Sequence, residues 1–269
     1  YDKALLHKYT KENNNKIYQK YFMEQHEINI KSSNKYWSEI KKLFDKSNYW
    51  IIKPVYGGSG FGVKLINNFK DCKKYITNFK NKYSYKESNK WVIQKYIENP
   101  LLIKKYDKKF HLRVHILITL IDSKINLYLF KNHGFVLTNK KFKLDNLSMN
   151  IHDTHFKSTK KNEGGIYPKY FDKMYGKKNR LKVDKQILDI FSYIKKQLLV
   201  NCFLESKNCF KYYGADIMIT DKYEVKLLEI NKNTGGNIFI LYPKYKIDFY
   251  KGMFDIVTKN KISKHFIKC

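Results

Sequence analysis

Two stretches decide the fold: Ala215-Asp216-Ile217-Met218-Ile219-Thr220 and Glu224-Val225-Lys226-Leu227-Leu228-Glu229-Ile230-Asn231. Both are rich in aliphatic residues and are joined by a short turn at Asp221-Lys222, so they read as an antiparallel hairpin. With a two-residue turn, position 216 lies opposite 227, and strand alternation puts Asp216, Leu227, Glu229 and Asn231 on one sheet face. Asp216 and Glu229 then become diagonal neighbours, about 7–8 Å apart. Two carboxylates and an amide oxygen gathered there repel one another unless a cation lies between them. Such hard oxygen donors suit Mg²⁺. The competing reading is a solvated sheet face, which the apolar neighbours Leu227, Leu228 and Ile230 oppose.

Outward from this hairpin, Trp50–Lys53, Gly62–Ile66, Trp91–Ile97, His111–Ile121 and Ile125–Lys131 also carry strand composition. Between them, Trp37, Ile40 and Phe44 recur at helical spacing. So do Cys72, Tyr75, Ile76, Phe79 and Tyr83, and again Ile187, Phe191, Ile194 and Leu198. In all three the stripe is core rather than a cofactor box. Lysine-rich stretches at 80–90 and 157–182 read as surface loops. Helices mixed with antiparallel strand pairs predict an α+β fold.

Three further stretches carry polar chemistry. In Lys53-Pro54-Val55-Tyr56-Gly57-Gly58-Ser59-Gly60-Phe61-Gly62-Val63 a strand ends in a lysine, a four-glycine loop follows and a second strand begins. Glycines let backbone N–H groups cradle phosphate oxygens while the lysine adds a cation. No Gly-Lys-Ser/Thr precedes a helix, so the reading is a hairpin over phosphates, with an ordinary glycine turn as the alternative. In His111-Leu112-Arg113-Val114-His115 the two histidines and Arg113 face one way. Arg113 is one of only two arginines, and a charge among aliphatics needs a partner, either a phosphate or a structural carboxylate. His152, Asp153 and His155 lack the further ligand that a zinc site needs.

Composition sets the remaining bounds. The 269 residues carry 54 Lys and Arg against 24 acidic residues, a net charge of +30 that attracts polyanions. Lysine, asparagine, isoleucine and tyrosine are abundant together, as AT-rich coding produces, so part of that excess is compositional drift. Four scattered cysteines suit reduced thiols in a cytoplasmic protein. No apolar run reaches about eighteen residues, so no membrane span is expected. The chain opens at Tyr1 without methionine, and a trimmed upstream segment is expected.

Taken in order, these stretches resemble the tubulin–tyrosine ligase-like family. The matching pieces are Trp50-Ile51-Ile52-Lys53-Pro54 with its glycine loop, Val92-Ile93-Gln94-Lys95-Tyr96-Ile97-Glu98-Asn99-Pro100-Leu101-Leu102, and Lys109-Phe110-His111-Leu112-Arg113. Gly214-Ala215-Asp216-Ile217-Met218 and Leu227-Leu228-Glu229-Ile230-Asn231 complete the set, and Asp2-Lys3 is similar to a short motif near the start. The resemblance implies an ATP-grasp fold, in which ATP lies between two sheet-bearing lobes. It divides the chain into an N-terminal helical or linker segment (1–48), a small lobe with the glycine loop (49–105) and a large lobe with the Mg²⁺ and ATP site (106–269). It implies that Lys53 and the loop residues Gly57, Gly58, Ser59, Gly60 and Gly62 contact phosphates. Gln94, Lys95 and Ile97 line the adenine pocket, Met218 packs on the base, and Lys3 and Lys109 touch the nucleotide. Arg113 faces the γ-phosphate and acts with Lys53 in catalysis, and Asp216, Glu229 and Asn231 bind Mg²⁺.

The implied reaction makes an acyl phosphate on a protein carboxylate, which the amine of a free amino acid then attacks. The +30 charge suits an acidic C-terminal tail, of tubulin or another protein, as acceptor. Three departures stand out. His111 replaces the family's aspartate, Thr138 lies where an arginine is usual, and Ile151-His152-Asp153-Thr154 replaces Leu-Thr-Asn. Lys131, His133, Lys140 or His152 is expected to take over the donor's carboxylate, with a slight lean to glutamate over tyrosine as donor. The alternative is a catalytically weakened basic module that holds an acidic tail or nucleic acid.

Overall fold

The computed structural model describes residues 15–29, 35–45, 49–55, 60–83, 89–122, 124–154, 165–199, 209–231 and 243–269. Two antiparallel sheets organise them. The smaller contains β1 (Gln25–Asn29), β2 (Trp50–Pro54), β3 (Lys64–Ile66) and β4 (Lys90–Lys95), in the order β1-β4-β2-β3. Trp50, Ile52, Trp91 and Ile93 point to one face of it. There they bury Ile40 and Leu43 of α2 (Lys35–Phe44) and Cys72, Ile76 and Phe79 of α3 (Phe69–Lys82). Asn68 caps α3, its side chain accepting from the Asp71 N–H at 2.8 Å. Alternation leaves Lys53 and Gln94 on the opposite face.

The larger sheet is built around β6 (Lys108–Ile121), a 14-residue strand that holds six others to itself directly or through a neighbour. These include β7 (Lys124–Phe130), β9 (Cys209–Ile219), β10 (Val225–Asn231) and β11 (Phe266–Lys268), in the order β10-β9-β6-β7-β11. The short strands β5 (Leu102–Ile103) and β8 (Gly134–Leu137) also pair with β6. On one face Leu112, Val114, Ile116, Ala215, Ile217 and Leu227 pack on Val183, Ile187, Phe191 and Ile194 of α6 (Lys177–Leu199). Tyr18 and Tyr21 of α1 (Asn15–Tyr21), and Phe171 and Tyr175 of α5 (Lys169–Tyr175), close the same core. The short helix α4 (Met149–His152) lies between β8 and α5 in the chain. Residues 15–29 thus serve both layers, since α1 joins the large core while β1 edges the small sheet.

The other face of the large sheet is shared. Toward β7 and β11 it is covered by α7 (Pro243–Lys259), whose Phe249 and Ile256 meet Leu117, Tyr128, Phe130 and Phe266. A Cβ on Gly252 would stand 2.8 Å from the Phe266 ring and the Ser263 hydroxyl, so the helix approaches this closely only because that side chain is missing. Toward β10 the same face carries Arg113, Asp216, Glu229 and Asn231 instead.

Two expectations are corrected here. The lysine-rich 157–182 stretch is not one surface loop: Lys169–Tyr175 and the residues from Lys177 onward are helical. Buried Phe171, Tyr175 and Val183 anchor these turns while the lysines point outward. The hairpin loop has three residues, Asp221-Lys222-Tyr223, closed by the Thr220 N–H donating to Glu224 O at 2.9 Å, with Tyr223 at φ +59°. The extra residue puts Leu227 opposite Ile217, in the core beneath α6, rather than on the face of Asp216.

Candidate active site

The β10 strand bulges between Leu227 and Glu229, and the pairing shifts by one residue. Leu227 and Ile230, three positions apart, therefore both reach the core. Glu229 comes directly opposite Asp216, and Asn231 comes opposite Gly214. On the far side of β9, Asp216 is paired in register with Arg113 of β6. Arg113, Asp216 and Glu229 thus form one row across three strands, with Asn231 beside it. Its amide donates to Glu229 Oε1 at 3.0 Å.

Arg113 grips Asp216 with both ends of its guanidinium, Nε to Oδ1 at 2.5 Å and the terminal nitrogen to Oδ2 at 3.0 Å. Burial alone would raise the Asp216 carboxyl. Arg113, aided by His111, outweighs it and holds that group well below the usual carboxylate range. A permanently charged carboxylate, a second carboxylate and an amide are hard donors of the kind a divalent cation takes. Among the described residues no three His, Cys, Asp or Glu side chains stand close enough to hold a metal alone. An ion held at this row would draw further oxygens from a bound phosphate, as Mg²⁺ commonly does.

His111 lies on the same face, two residues before Arg113. Its Nδ1 is 2.7 Å from Thr154 Oγ1, and its Nε2 is 3.3 Å from Asp216 Oδ1. The ring is 5% exposed, and Nε2 has Asp216 Oδ1 as its polar neighbour, in poor hydrogen-bond alignment.

A second group spans the two sheets. Lys109 donates to the Tyr96 hydroxyl at 3.0 Å and to His152 O at 2.9 Å, and it sits 4.5 Å from the Tyr96 ring centroid. The Tyr96 hydroxyl is 2.7 Å from His152 Nδ1, and His152 Nε2 is 2.5 Å from Asn146 O. A carbonyl only accepts, so Nε2 carries the ring proton, Nδ1 accepts from Tyr96, and the tyrosine oxygen accepts from Lys109. Burial lowers the Lys109 ammonium to about 7 against the pull of Asp153, and it lowers His152 to about 4. His152 is therefore neutral at pH 7.

The third group lies on the small sheet. Lys53 is 7% exposed and donates to Gln94 Oε1 at 3.1 Å, and the Gln94 amide donates to Gln25 Oε1 at 3.2 Å. Lys95 pairs with Trp50 and alternates to the helix-covered face, so its side chain does not join Gln94. Ile97 and Met218 meet in a small apolar cluster with Met23 and half-buried Leu228. Gly62 has φ +70°, and a Cβ there would lie 2.9 Å from the Pro54 ring, so the return of the glycine loop onto β2 requires glycine. Gly60 likewise has φ +76°. Lys3, Gly57, Gly58 and Ser59 lie outside the described residues.

The structure also answers the departures at Thr138 and its neighbours. Thr138 is fully buried, its hydroxyl 2.9 Å from Lys140 O and 3.3 Å from Lys109 O, so nothing at this position reaches a substrate. His133 is stacked on Tyr167, and burial lowers it to about 3. Neither His133 nor His152 can supply the cation expected of it. Lys140 and Lys131 remain, Lys140 in a groove with Lys108, Lys141, Lys143, Phe142 and Ile151, and Lys131 donating to Lys264 O at 2.8 Å. Sequence reasoning missed Gln25, Met23, Leu228 and the Tyr96–His152 link. Only Gln25 left a signal, as a polar residue beside a strand-like run.

Comparison with known proteins agrees with this architecture. The model of the tubulin-tyrosine ligase family matches residues 1–233. The tubulin glycylase 3B of Drosophila melanogaster is 30% identical over 203 residues, covering 68% of this chain and 25% of that protein. The probable tubulin polyglutamylase TTLL2 of Homo sapiens is 26% identical over 216 residues, covering 73% and 33%. The chain therefore spans a quarter to a third of the length of these relatives. Among solved structures, the C-terminal domain of K. lactis Pby1 superposes with a TM-score of 0.65 at 19% identity, covering 99% of this chain and 76% of that one. It is described as an ATP-grasp enzyme that interacts with the mRNA decapping enzyme Dcp2, and the likeness extends the ATP-grasp fold to this α+β chain. With the family match spanning the small sheet and every strand of the large sheet except β11, the chain belongs to the tubulin-tyrosine ligase family.

Proposed function

We propose that this chain is an ATP-dependent carboxylate–amine ligase that joins an amino acid to a carboxylate on an acidic protein segment. The observation that carries the reading is the row Arg113–Asp216–Glu229, which the β10 bulge aligns across three strands. ATP with Mg²⁺, when bound, would supply the phosphoryl group that turns a carboxylate into an acyl phosphate. Asp216, Glu229 and Asn231 would hold the cation, and Lys53 with Gly60 and Gly62 would face the phosphates. Ile97, Met218, Met23 and Leu228 offer an apolar surface for the base, beside the Gln94 amide.

Each side chain has a physical task. Lys53 and Arg113 are held by neighbours before any ligand arrives, so little reorganisation opposes the build-up of charge during phosphoryl transfer. Lys109 shares its proton with Tyr96 and the His152 carbonyl, and a nearby anion would restore the full charge that burial weakens. The groove of Lys108, Lys140, Lys141 and Lys143 provides the positive wall that an acidic chain requires. The tubulin-modifying relatives support a protein acceptor of this kind.

The test is to supply ATP, Mg²⁺, a glutamate-rich peptide and all twenty amino acids, then measure ADP and weigh the peptide. The reading expects ADP in step with a peptide heavier by one or more amino-acid residues. Tight peptide binding with no mass change would leave a binding module instead, and tighter binding of RNA would identify its ligand.

A further inference from the structure

A second cavity, of about 510 Å³, contains none of Arg113, Asp216 and Glu229. Three stretches distant in sequence wall it. They are Lys131 and Asn132 after β7, residues 166–169 at the start of α5, and the first turn of α7 with Lys264 and His265. Hydrogen bonds tie these walls together. The Lys131 N–H donates to His265 O at 2.8 Å and its ammonium to Lys264 O at 2.8 Å, while the Tyr167 N–H donates to His133 O at 2.9 Å. Lys131, Lys169, Lys244 and Lys264 therefore surround one space, with Asp248 the single carboxylate among the described lining residues. Asp248 lies 3.6 Å from His265 Nε2, and among the described residues none of the four lysines is ion-paired. Like charges gathered in a preformed cavity repel one another, and an anion placed between them removes that cost.

We infer that this cavity binds a small phosphate-dense ligand, of the inositol polyphosphate class, at a site separate from the nucleotide's. The charge count selects the class. A phosphate monoester carries about −1.5 to −2 at pH 7, so about two or three of them on one small frame neutralise the four lysines. A lone carboxylate leaves most of the lysines unpaired, and an extended acidic peptide sets its same-side carboxylates about 6–7 Å apart along the chain. Lysine meets phosphate as a point charge, without the fixed fork of arginine. Lys244 and Tyr245 belong to the first turn of α7, whose dipole adds positive potential there. Tyr167, Pro168 and half-buried Tyr245 offer apolar surface to the ligand's carbon frame. Lys244, Tyr245, Asp248, Lys264 and His265 lie beyond the stretch that the family model matches, so the site does not belong to the matched core. It is nevertheless coupled to the active site. Gly134 pairs with Arg113 on one side and bridges Ile166 of the cavity wall on the other. A ligand here braces α7 and the β7–β8 turn one strand away from Arg113, and the inference stands whether or not the chain is a ligase.

The experiment is calorimetric titration of the whole chain with inositol hexakisphosphate at about 0.15 M salt, with and without excess ADP. The inference expects one site per chain that ADP does not displace. Affinity should fall at least about tenfold for each lysine removed in Lys244→Gln and Lys264→Gln. Lys41→Gln combined with Lys42→Gln removes equal charge from exposed positions of α2 and should change nothing. Urea unfolding without ligand should match for all variants, and the ligand should raise the midpoint of the unaltered chain far more than that of the Lys244→Gln, Lys264→Gln double variant. Phosphatidylcholine vesicles with and without phosphatidylinositol bisphosphate separate two sources of the phosphates. Pelleting that requires Lys244 and Lys264 identifies a lipid headgroup, and binding of the free hexakisphosphate alone identifies a soluble ligand. Equal losses in the two lysine pairs, or no binding, would show only the overall charge and no site. Displacement by ADP would place the ligand in the nucleotide site instead. A glutamate-rich peptide held as tightly, with the same dependence on Lys244 and Lys264, would overturn phosphate as the ligand class.

Discussion

Glu229 stands directly across from Asp216 because β10 accommodates one extra residue between Leu227 and Glu229. The bulge sends Leu227 and Ile230 into the core and leaves the two carboxylates on the opposite face. Replacing Glu229 by Gln keeps the shape and removes the charge. ADP formation should fall by about 10²–10³-fold, with an unchanged cooperative unfolding curve. Normal turnover by this variant would remove Glu229 from the site.

The same bulge separates two adjacent leucines by role. Leu227 is fully buried with Ile217 and Leu112, and Leu227→Ala should cost about 2–5 kcal/mol in urea unfolding. Leu228 instead touches Met23, Ile97 and Met218, so Leu228→Ala should lose less than about 1 kcal/mol of stability while weakening nucleotide binding several-fold. Reversed effects in the pair would show that the strand runs without the bulge.

Lys109 gives a pH signature to the free protein. Its folded pKa is lowered to about 7, with burial the main cause, while the unfolded lysine stays near 10.4. Between these values the unfolded chain binds more protons, so stability rises with pH, by up to about 1.4 kcal/mol per unit from this group. Below pH 7 both states are protonated and the buried charge costs its full desolvation. Lys109→Met should therefore exceed the unaltered protein in stability most at pH 6, and the gap should close toward pH 10. Urea unfolding in EDTA, without nucleotide, checks this. A gap independent of pH would mean that Lys109 is not strained by burial.

Recognition of an acidic acceptor by the +30 chain should be electrostatic. Binding of a glutamate-rich peptide should weaken steeply from low salt to about 0.15 M and beyond, as the screening length falls to about 8 Å. Lys140→Glu combined with Lys141→Glu should flatten that dependence. Affinity that ignores salt would exclude the lysine groove as the contact.

Much of this architecture was legible because the aliphatic runs of β6, β9 and β10 leave few alternatives to strands. The shared face of Asp216, Glu229 and Asn231 was legible for a less direct reason. A three-residue loop instead of two moves every β10 side chain to the other face, and the bulge at Leu228 moves those beyond it back again. Neither change left a mark, since no glycine or proline stands at Leu228 and Tyr223 adopts a positive φ without being glycine. Leu227, before the bulge, was consequently placed on the wrong face. The helices from Lys169 were hidden by lysine density around Phe171, Tyr175 and Val183. The Lys109–Tyr96–His152 chain joins residues up to 56 positions apart in contacts that only folding creates.

The central claim is that a protein carboxylate is activated by phosphorylation before an amine displaces the phosphate. An acceptor peptide with ¹⁸O in its side-chain carboxylates, incubated with the chain, ATP, a divalent cation and the amino acid that the mass assay identifies, tests this directly. The account predicts inorganic phosphate carrying one ¹⁸O atom, formed in equal amount with the ligated peptide. Ligated peptide accompanied by unlabelled phosphate would contradict it.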